Sequence, residues 1–349
     1  MNGHMTIAGR AVQPGAPCFV IAEVGVNHNG DMALAHRLVD AAADAGADAV
    51  KFQSFRTDAL VSATAGKAEY QRARTGDGGQ AEMLRALELN AAQFAELAAH
   101  CTARGAAFMS TAFDPLSLDE VIALAPPCLK WPSGELTNLP FLRRAARAGL
   151  PIILSTGMAS MAEIASAVAV LEEEHCADFA LLQCVSNYPA RLEDQNLRVI
   201  PMLAQAFGCP AGLSDHTPGP WAAIAARGLG MCVLEKHITL DSTMAGPDHA
   251  ASAEPAEFAE LVLRLRQCEA ALGDGIKRPS PAEADVRLAA RRSLFFASDY
   301  SPGHVLCEGD LVMRRPGTGI AVESAALLIG RTLRNAVSTG QMVRFCDVG

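Results

Sequence analysis

Short runs rich in Val, Ile, Leu and Phe alternate with Ala-, Leu- and Glu-rich stretches eight times before about residue 275, and no other feature constrains the fold as tightly. The apolar runs lie at residues 19–25, 48–55, 106–113, 128–135, 151–157, 179–186, 211–216 and 233–239. Most are continuously apolar, as in parallel strands buried on both faces, and do not show the alternation of a half-exposed sheet. Between them, residues 32–45, 91–104, 116–124, 140–147, 161–174, 197–207, 221–230 and 255–272 read as helices. Pro140 suits a first helical position, where its missing N–H costs nothing. Eight such units predict an α/β chain folded as a (β/α)8 TIM barrel, in preference to an open doubly wound sheet.

The chain has 349 residues, more than one core usually supports. The expected division is a barrel over 1–276, a polar, Pro-containing linker over 277–290 and a small, mostly-β domain over 291–349, where short strands and turns replace the earlier rhythm. From residue 283 onward there are eight Lys and Arg against seven Asp and Glu, so the tail is near neutral and the barrel carries the negative charge of a chain whose net charge is −9. That balance argues against nucleic acid or an anionic membrane as partner, since both require clustered cations. Residues 1–10 lack the features of a signal peptide, and no apolar run approaches the roughly 20 residues of a membrane span. The expected location is cytoplasmic. Ten cysteines are scattered from Cys18 to Cys346 without a CxxC pair, several inside apolar runs, and are read as small buried hydrophobes. One loop is unusually long, residues 56–90 with Thr75-Gly76-Asp77-Gly78-Gly79 inside it, and is expected to be a lid or to carry structure of its own.

Active sites of such barrels lie at the C-terminal ends of the strands, so polar residues that end apolar strands are the informative ones. Here they are Glu23 and Asn27-His28-Asn29; Lys51 and Gln53; Ser110-Thr111; Lys130, Ser133 and Glu135; Ser155-Thr156-Gly157; Ser186 and Tyr188; Ser214-Asp215-His216; and Glu235-Lys236-His237. Lys51 and Gln53, and likewise Ser133 and Glu135, are two apart and should share a strand face. A lone Ser or Thr in such a place commonly caps the next helix, and Glu235 with Lys236 reads as an outward ion pair. Two lysines in apolar strands are harder to dismiss, because a desolvated ammonium needs an anion. With Ser and Thr hydroxyls beside them they suit a phosphate and a carboxylate. His216 and His237 end neighbouring strands and could share one metal ion, although capping histidines are an equal alternative. Two nitrogen donors would leave open positions, which favours Mn²⁺ or Mg²⁺ over closed structural zinc. No thiol adjoins either histidine in sequence, so cysteine ligation is not expected.

Seven segments, in order, carry a resemblance: Ala22-Glu23-Val24-Gly25-Val26-Asn27-His28-Asn29-Gly30, Val50-Lys51-Phe52-Gln53-Ser54, Pro132-Ser133-Gly134-Glu135-Leu136-Thr137-Asn138, Ile153-Leu154-Ser155-Thr156-Gly157-Met158, Gly212-Leu213-Ser214-Asp215-His216, Leu234-Glu235-Lys236-His237 and Gly246-Pro247-Asp248-His249. Along nearly its whole length the chain resembles the N-acetylneuraminate (sialic acid) synthases, with the legionaminate and pseudaminate synthases. The tail around Arg314-Arg315-Pro316-Gly317-Thr318-Gly319 is similar to their antifreeze-like (SAF) domain. The resemblance implies condensation of phosphoenolpyruvate with open-chain N-acetylmannosamine, or with 2,4-diacetamido-2,4,6-trideoxymannose in a legionaminate synthase. It implies phosphoenolpyruvate contacts from Lys51, Thr111, Lys130, Ser133, Ser155, Ser186 and Ser214, with Lys51 and Lys130 catalytic. Sugar contacts would come from Glu23, Gln53, Tyr188 and Asp248, and from Arg315 reaching across a domain-swapped homodimer. His216 and His237 would ligate a divalent metal, Mn²⁺ with Mg²⁺ or Co²⁺ as alternatives, and Glu135 would handle protons. Trp131 stands where the family has an aliphatic residue and is expected to reshape the phosphate wall. Two rival readings are a Schiff-base aldolase using Lys130 or Lys51, and a non-catalytic carbohydrate-binding protein.

Overall fold

A computed structural model describes residues 3–349 except 63, 64, 68–71, 73, 77 and 177. It divides into two compact units, Met1–Asp274 and Gly275–Gly349. The first opens with an antiparallel hairpin, β1 (Met5–Ile7) and β2 (Arg10–Val12). Eight parallel strands follow: β3 (Phe19–Gly25), β4 (Ala49–Ser54), β5 (Ala107–Ala112), β6 (Leu129–Trp131), β7 (Ile152–Ser155), β8 (Phe179–Cys184), β9 (Ala211–Asp215) and β10 (Val233–His237). They pair in sequence order, and β10 closes on β3 to make the expected (β/α)8 barrel.

Alternation along the strands builds two cores. On β3, Val20, Ala22 and Val24 point outward into the layer shared with the helices, where they join Leu34 and Leu38. Phe19 and Ile21 point inward, with Ala49, Met109, Ile153, Leu182 and Val233 from the other strands. Met5, Ile7 and Val12 of the hairpin are fully buried in this inner cluster and plug the bottom of the barrel. One residue pair further up each strand, the inward chemistry changes: Glu23 follows Ile21, Lys51 follows Ala49, Thr111 follows Met109, Lys130 follows Cys128, Ser155 follows Ile153 and Glu235 follows Val233.

The helices start on residues other than these strand ends. Asp31, Asn90, Asp114 and Ser160 accept backbone N–H bonds at the N-termini of Met32–Asp44, Ala91–Ala103, Pro115–Ala123 and Met161–Glu173. The strand-end hydroxyls are therefore not spent on caps there. Strand β6 is shorter than the sequence suggests. Pro132 has no N–H for the ladder, and Ser133–Glu135 form a single 3-10 turn, so Ser133 and Glu135 do not share a strand face as expected.

Within residues 56–90, Thr57–Leu60 and Gln80–Arg85 are short helices. Part of the expected lid, including Asp77 of the Gly-rich stretch, lies outside the described residues. In the second unit β11 (Ser293–Phe296) pairs antiparallel with β12 (Leu311–Arg314). Leu294, Phe296, Leu306, Leu328 and Val343 form its separate small core. Part of the stretch read as linker, Ala284–Ala290, is a helix of this unit. Among the described residues, no helix is long and apolar enough to cross a membrane, and all ten cysteines are free, seven of them buried.

Candidate active site

The change from apolar to polar inward residues creates a cavity of about 400 Å³ at the C-terminal mouth, large enough for small substrates. Glu23, Lys51, Gln53, Thr111, Lys130, Ser133, Ser155, Ser186, Tyr188, Ser214, His216, His237 and Asp248 all line it. Two expected residues do not. Glu135, carried away by its 3-10 turn, is half-buried and accepts a 2.7 Å bond from Asn138 Nδ2. Arg315 belongs to the second unit, where its Nε donates to the Ala290 carbonyl at 3.0 Å.

At the cavity floor the charges are closely matched. Lys51 Nζ lies 2.6 Å from Glu23 and 3.7 Å from Glu235, and donates to Thr111 Oγ1 at 3.1 Å. Lys130 Nζ lies 3.6 Å from Glu235 and donates to Ser155 Oγ at 2.7 Å. Ser214 Oγ donates to Glu235 at 3.1 Å, while Gln53 Nε2 donates to Glu23 at 3.0 Å. All four charged groups are nearly inaccessible, so burial sets the terms on which each ionises. Burial raises the Glu23 carboxyl to about 7 against the pull of Lys51. Burial also opposes ionisation of Glu235, but Lys130 and Lys51 outweigh it and keep this carboxyl below its ordinary range. For Lys130 burial wins and lowers the ammonium, whereas Glu23 and Glu235 overcome burial and raise Lys51. Asp248 is raised by burial to about 6.

Beside the lysines, hydroxyls converge on one backbone segment. Gly157 N donates to Ser133 Oγ at 2.9 Å. A Cβ at Gly157 would run into Ser186 Oγ and come within 2.8 Å of Ser133 Oγ, so only glycine leaves this cradle open. Lys130 and the Ser133, Ser155 and Ser186 hydroxyls together present the donors that an anion requires, and the Gly157 N–H orients Ser133 by donating to it.

The two histidines line the same cavity with ring centroids 5.4 Å apart, and Tyr188 packs against both. His216 Nδ1 donates to the Val185 carbonyl at 2.9 Å, which fixes its tautomer and leaves Nε2 as the lone-pair nitrogen. His237 Nδ1 is buried without a hydrogen-bond partner among the described residues. Burial, together with His216 and Lys51, holds His237 well below its ordinary pKa. For His216 burial opposes charge, but Cys184, the Val185 carbonyl and Glu235 outweigh it and hold this imidazole above its ordinary value. The unengaged nitrogens of the pair fit a metal ion, which would displace the proton from His216. Among the described residues no cluster of three or more His, Cys, Asp and Glu is arranged to hold one, so the pair fits only an open site completed by water or substrate.

Two expectations need correction. Glu235 and Lys236 do not form an ion pair: strand alternation sends Glu235 inward to the lysines and Lys236 outward to Asp215, at 2.8 Å. Trp131 shapes no phosphate wall, because it points into the outer core against Phe141 and donates from Nε1 to the Glu135 carbonyl. A thiol does approach a histidine, since Cys184 lines the cavity with Sγ 4.0 Å from His216 Nδ1. That nitrogen is already engaged, so the contact lies on the side away from the free Nε2. Burial raises the Cys184 thiol, but His216, Ser133 and Lys130 more than compensate and leave it below its usual value. Glu235 and Cys184 could have been found from sequence by continuing the every-second-residue pattern along β10 and β8.

Fold and site together define a class: a closed (β/α)8 barrel whose strand ends pair a lysine- and hydroxyl-lined anion cradle with two imidazoles. The chain belongs to the NeuB family, whose model matches residues 38–277, and a SAF domain model matches residues 291–348. It is 44% identical to the N,N'-diacetyllegionaminic acid synthase of Legionella pneumophila, over 93% of this chain and 92% of that protein. Identity to the human N-acetylneuraminate-9-phosphate synthase is 38%, over 79% of this chain and 77% of that one. The crystal structure of N-acetylneuraminic acid (sialic acid) synthetase from Leptospira borgpetersenii superposes with a TM-score of 0.72 at 34% identity, covering 82% of this chain and 95% of the other.

Proposed function

We propose that the chain is a metal-dependent synthase that condenses phosphoenolpyruvate with the open-chain form of an N-acyl mannosamine-type sugar, releasing phosphate. The observation that carries the proposal is the convergence of Lys51 and Lys130 with the Ser133, Ser155 and Ser186 hydroxyls beside paired imidazoles in one cavity. Lys51 and Lys130 neutralise the carboxylate and phosphate, and the hydroxyls orient them. A divalent cation held by His216 and His237, Mn²⁺ in this reading, would polarise the acceptor aldehyde. Carbon–carbon bond formation between C3 of phosphoenolpyruvate and the aldehyde leaves a cationic C2. Water adds there, and breaking the C2–O bond frees phosphate into the lysine cradle. Proton exchange suits Glu23, whose carboxyl can hold a proton near neutrality; Glu135 could take this role only by turning its carboxylate from Asn138.

Glu23, Gln53, Tyr188 and Asp248 are placed to hold the acceptor. The reading includes a homodimer in which Arg315 of one chain's small domain reaches the acceptor in another's barrel. Its support is the family resemblance and the absence of any arginine from the described cavity lining. A cytoplasmic location belongs to the same reading, since phosphoenolpyruvate is a metabolite of the cell interior. The decisive assay incubates purified protein with phosphoenolpyruvate, Mn²⁺ and each acceptor sugar, following phosphate release and the nine-carbon keto acid. Borohydride trapping of a lysine adduct would instead establish the Schiff-base aldolase. Arg315→Ala and Glu23→Gln chains, each inactive alone, should regain one working site as mixed dimers; no recovery in verified heterodimers places Arg315 outside the site.

A further inference from the structure

Two polar segments near the mouth contain more than the cavity uses. No residue of Asn27-His28-Asn29 lines it, and of Gly246-Pro247-Asp248-His249 only Pro247 and Asp248 do. The remaining side chains meet one another. His249 is fully buried, with Nδ1 2.6 Å from Thr239 Oγ1 and Nε2 3.3 Å from Asn29 Oδ1, a residue 220 positions away in sequence. Asn29 Nδ2 donates to the Ala245 carbonyl at 2.9 Å, so its Oδ1 is the acceptor and the His249 proton is assigned to Nε2. Nδ1 then accepts from the Thr239 hydroxyl. Burial holds the His249 imidazole below its ordinary pKa, in the neutral form that this pair of bonds requires. A second link runs in parallel: Asn27 Nδ2 donates to the Ile238 carbonyl at 2.9 Å and to Ser252 Oγ at 2.8 Å, and Ser252 Oγ donates to the Asp248 carbonyl at 2.7 Å. Gly246 shows how tightly these parts fit. A Cβ there would lie 2.6 Å from His249 Cδ2 and 2.9 Å from Asn29 Oδ1, so only glycine lets the ring reach Asn29.

We infer that His249 is a positioning residue, which latches the loop after β10 to the loop after β3 and thereby sets the Asp248 carboxylate against the acceptor. The inference rests on the condensation proposed above, in which Asp248 helps to hold the sugar. His249, Asn27, Asn29, Thr239 and Ser252 stay out of the cavity lining and touch no substrate. The backbone that carries Asp248 is gripped on both sides, by the Ser252 bond to its own carbonyl and by the ring of the next residue. Asp248 makes no side-chain cap bond to the 3-10 turn His249–Ala251 that follows it, so its carboxylate remains available to the cavity. An irregular loop does not fix a carboxylate by itself, and a misplacement of about 1 Å costs up to roughly a hundredfold. Because Asp248 is the charged group that this loop brings to the cavity, the loss should fall on the acceptor and spare phosphoenolpyruvate.

The test measures the Michaelis constants of both substrates in His249→Phe, which keeps a ring and removes both hydrogen bonds, and in Thr239→Val, which removes only the bond to Nδ1. The acceptor constant should rise roughly tenfold to a hundredfold in the first and severalfold in the second, while that for phosphoenolpyruvate stays within about twofold. Michaelis constants do not depend on the fraction of chain that is folded, so partial misfolding does not imitate this split. In an Asp248→Ala chain, whose acceptor constant is already raised, adding His249→Phe should change that constant by less than about twofold, because no carboxylate is left to position. An acceptor constant unmoved in His249→Phe, an equal rise in both constants, or full multiplication of the His249→Phe and Asp248→Ala effects overturns the latch. Failure of the unsubstituted protein to consume phosphoenolpyruvate with any acceptor overturns the condensation itself.

Discussion

The two ends of the barrel are made by the same eight strands yet do opposite things. At the bottom, Phe19, Ile21, Met109, Ile153 and Val233 meet Met5, Ile7 and Val12 of the hairpin in one apolar cluster. Two residues further along those strands, Glu23, Thr111, Ser155 and Glu235 face one another, with Lys51 and Lys130 between them. The bottom gains from burial, whereas the mouth desolvates charges and leaves Glu235 Oε2 and His237 Nδ1 without hydrogen-bond partners among the described residues. A single step of the strand period separates a region that stabilises the fold from one that costs stability and holds the chemistry.

The sharpest way to break this division is at the histidines. His216→Ala and His237→Ala should each reduce kcat/KM by several kcal/mol of transition-state stabilisation, on the order of a thousandfold, with little change in the urea midpoint. Excess chelator should abolish turnover, and Mn²⁺, Co²⁺ or Mg²⁺ should restore it. Full activity in chelator removes the metal from the proposal.

The bottom should respond in the opposite way. Ile7 is fully buried in the plug, so Ile7→Ala should cost about 2–5 kcal/mol of unfolding free energy. The Michaelis constants of the folded enzyme should stay within about twofold, because no atom of the plug lines the cavity. A large rise in either constant would mean that the plug sets the floor of the site and that the two ends are coupled.

A smaller effect resolves the mouth itself. Lys51→Met and Lys130→Met should each raise the Michaelis constant for phosphoenolpyruvate about tenfold to a hundredfold through loss of one charge-assisted contact. The constant for the sugar should move much less. Equal movement of both would show that the lysines chiefly organise Glu23 and Glu235.

This division was largely legible in the sequence because it follows from the strand period. Apolar runs that end in Lys51, Thr111, Lys130, Ser155 and His237 already mark which end carries chemistry. Local breaks in that period were less legible. Pro132 stops β6 and turns Glu135 off the strand face, so a residue placed by counting in twos lands elsewhere. Glu235 beside Lys236 suggests a salt bridge, although neighbours on a strand point apart and each finds its partner across the sheet. The hairpin strands have three residues each, too short for a periodic signal. The apolar cluster of Val26, Phe55 and Leu87 joins residues distant in sequence, which only the tertiary fold brings together.

The finest test asks whether the mouth costs stability through its charges. Asp248 is buried, and burial raises its carboxyl from an ordinary 3.8 to about 6. Between those values the folded chain holds a proton that the unfolded chain has released, so stability falls as pH rises through this window and levels off above about 6. Asp248→Asn removes the ionisable group and should remove that slope. In metal-free protein, urea unfolding near pH 4 should give similar free energies for the two proteins. At pH 7 the variant should be more stable by about 1–2 kcal/mol, a value reduced from the full shift to allow for relaxation around the carboxylate. The same substitution should weaken acceptor binding, so stability and activity would move in opposite directions at one residue. If Asp248→Asn is instead less stable at pH 7, the carboxylate is held by favourable contacts in the folded state and the mouth is not strained at this point.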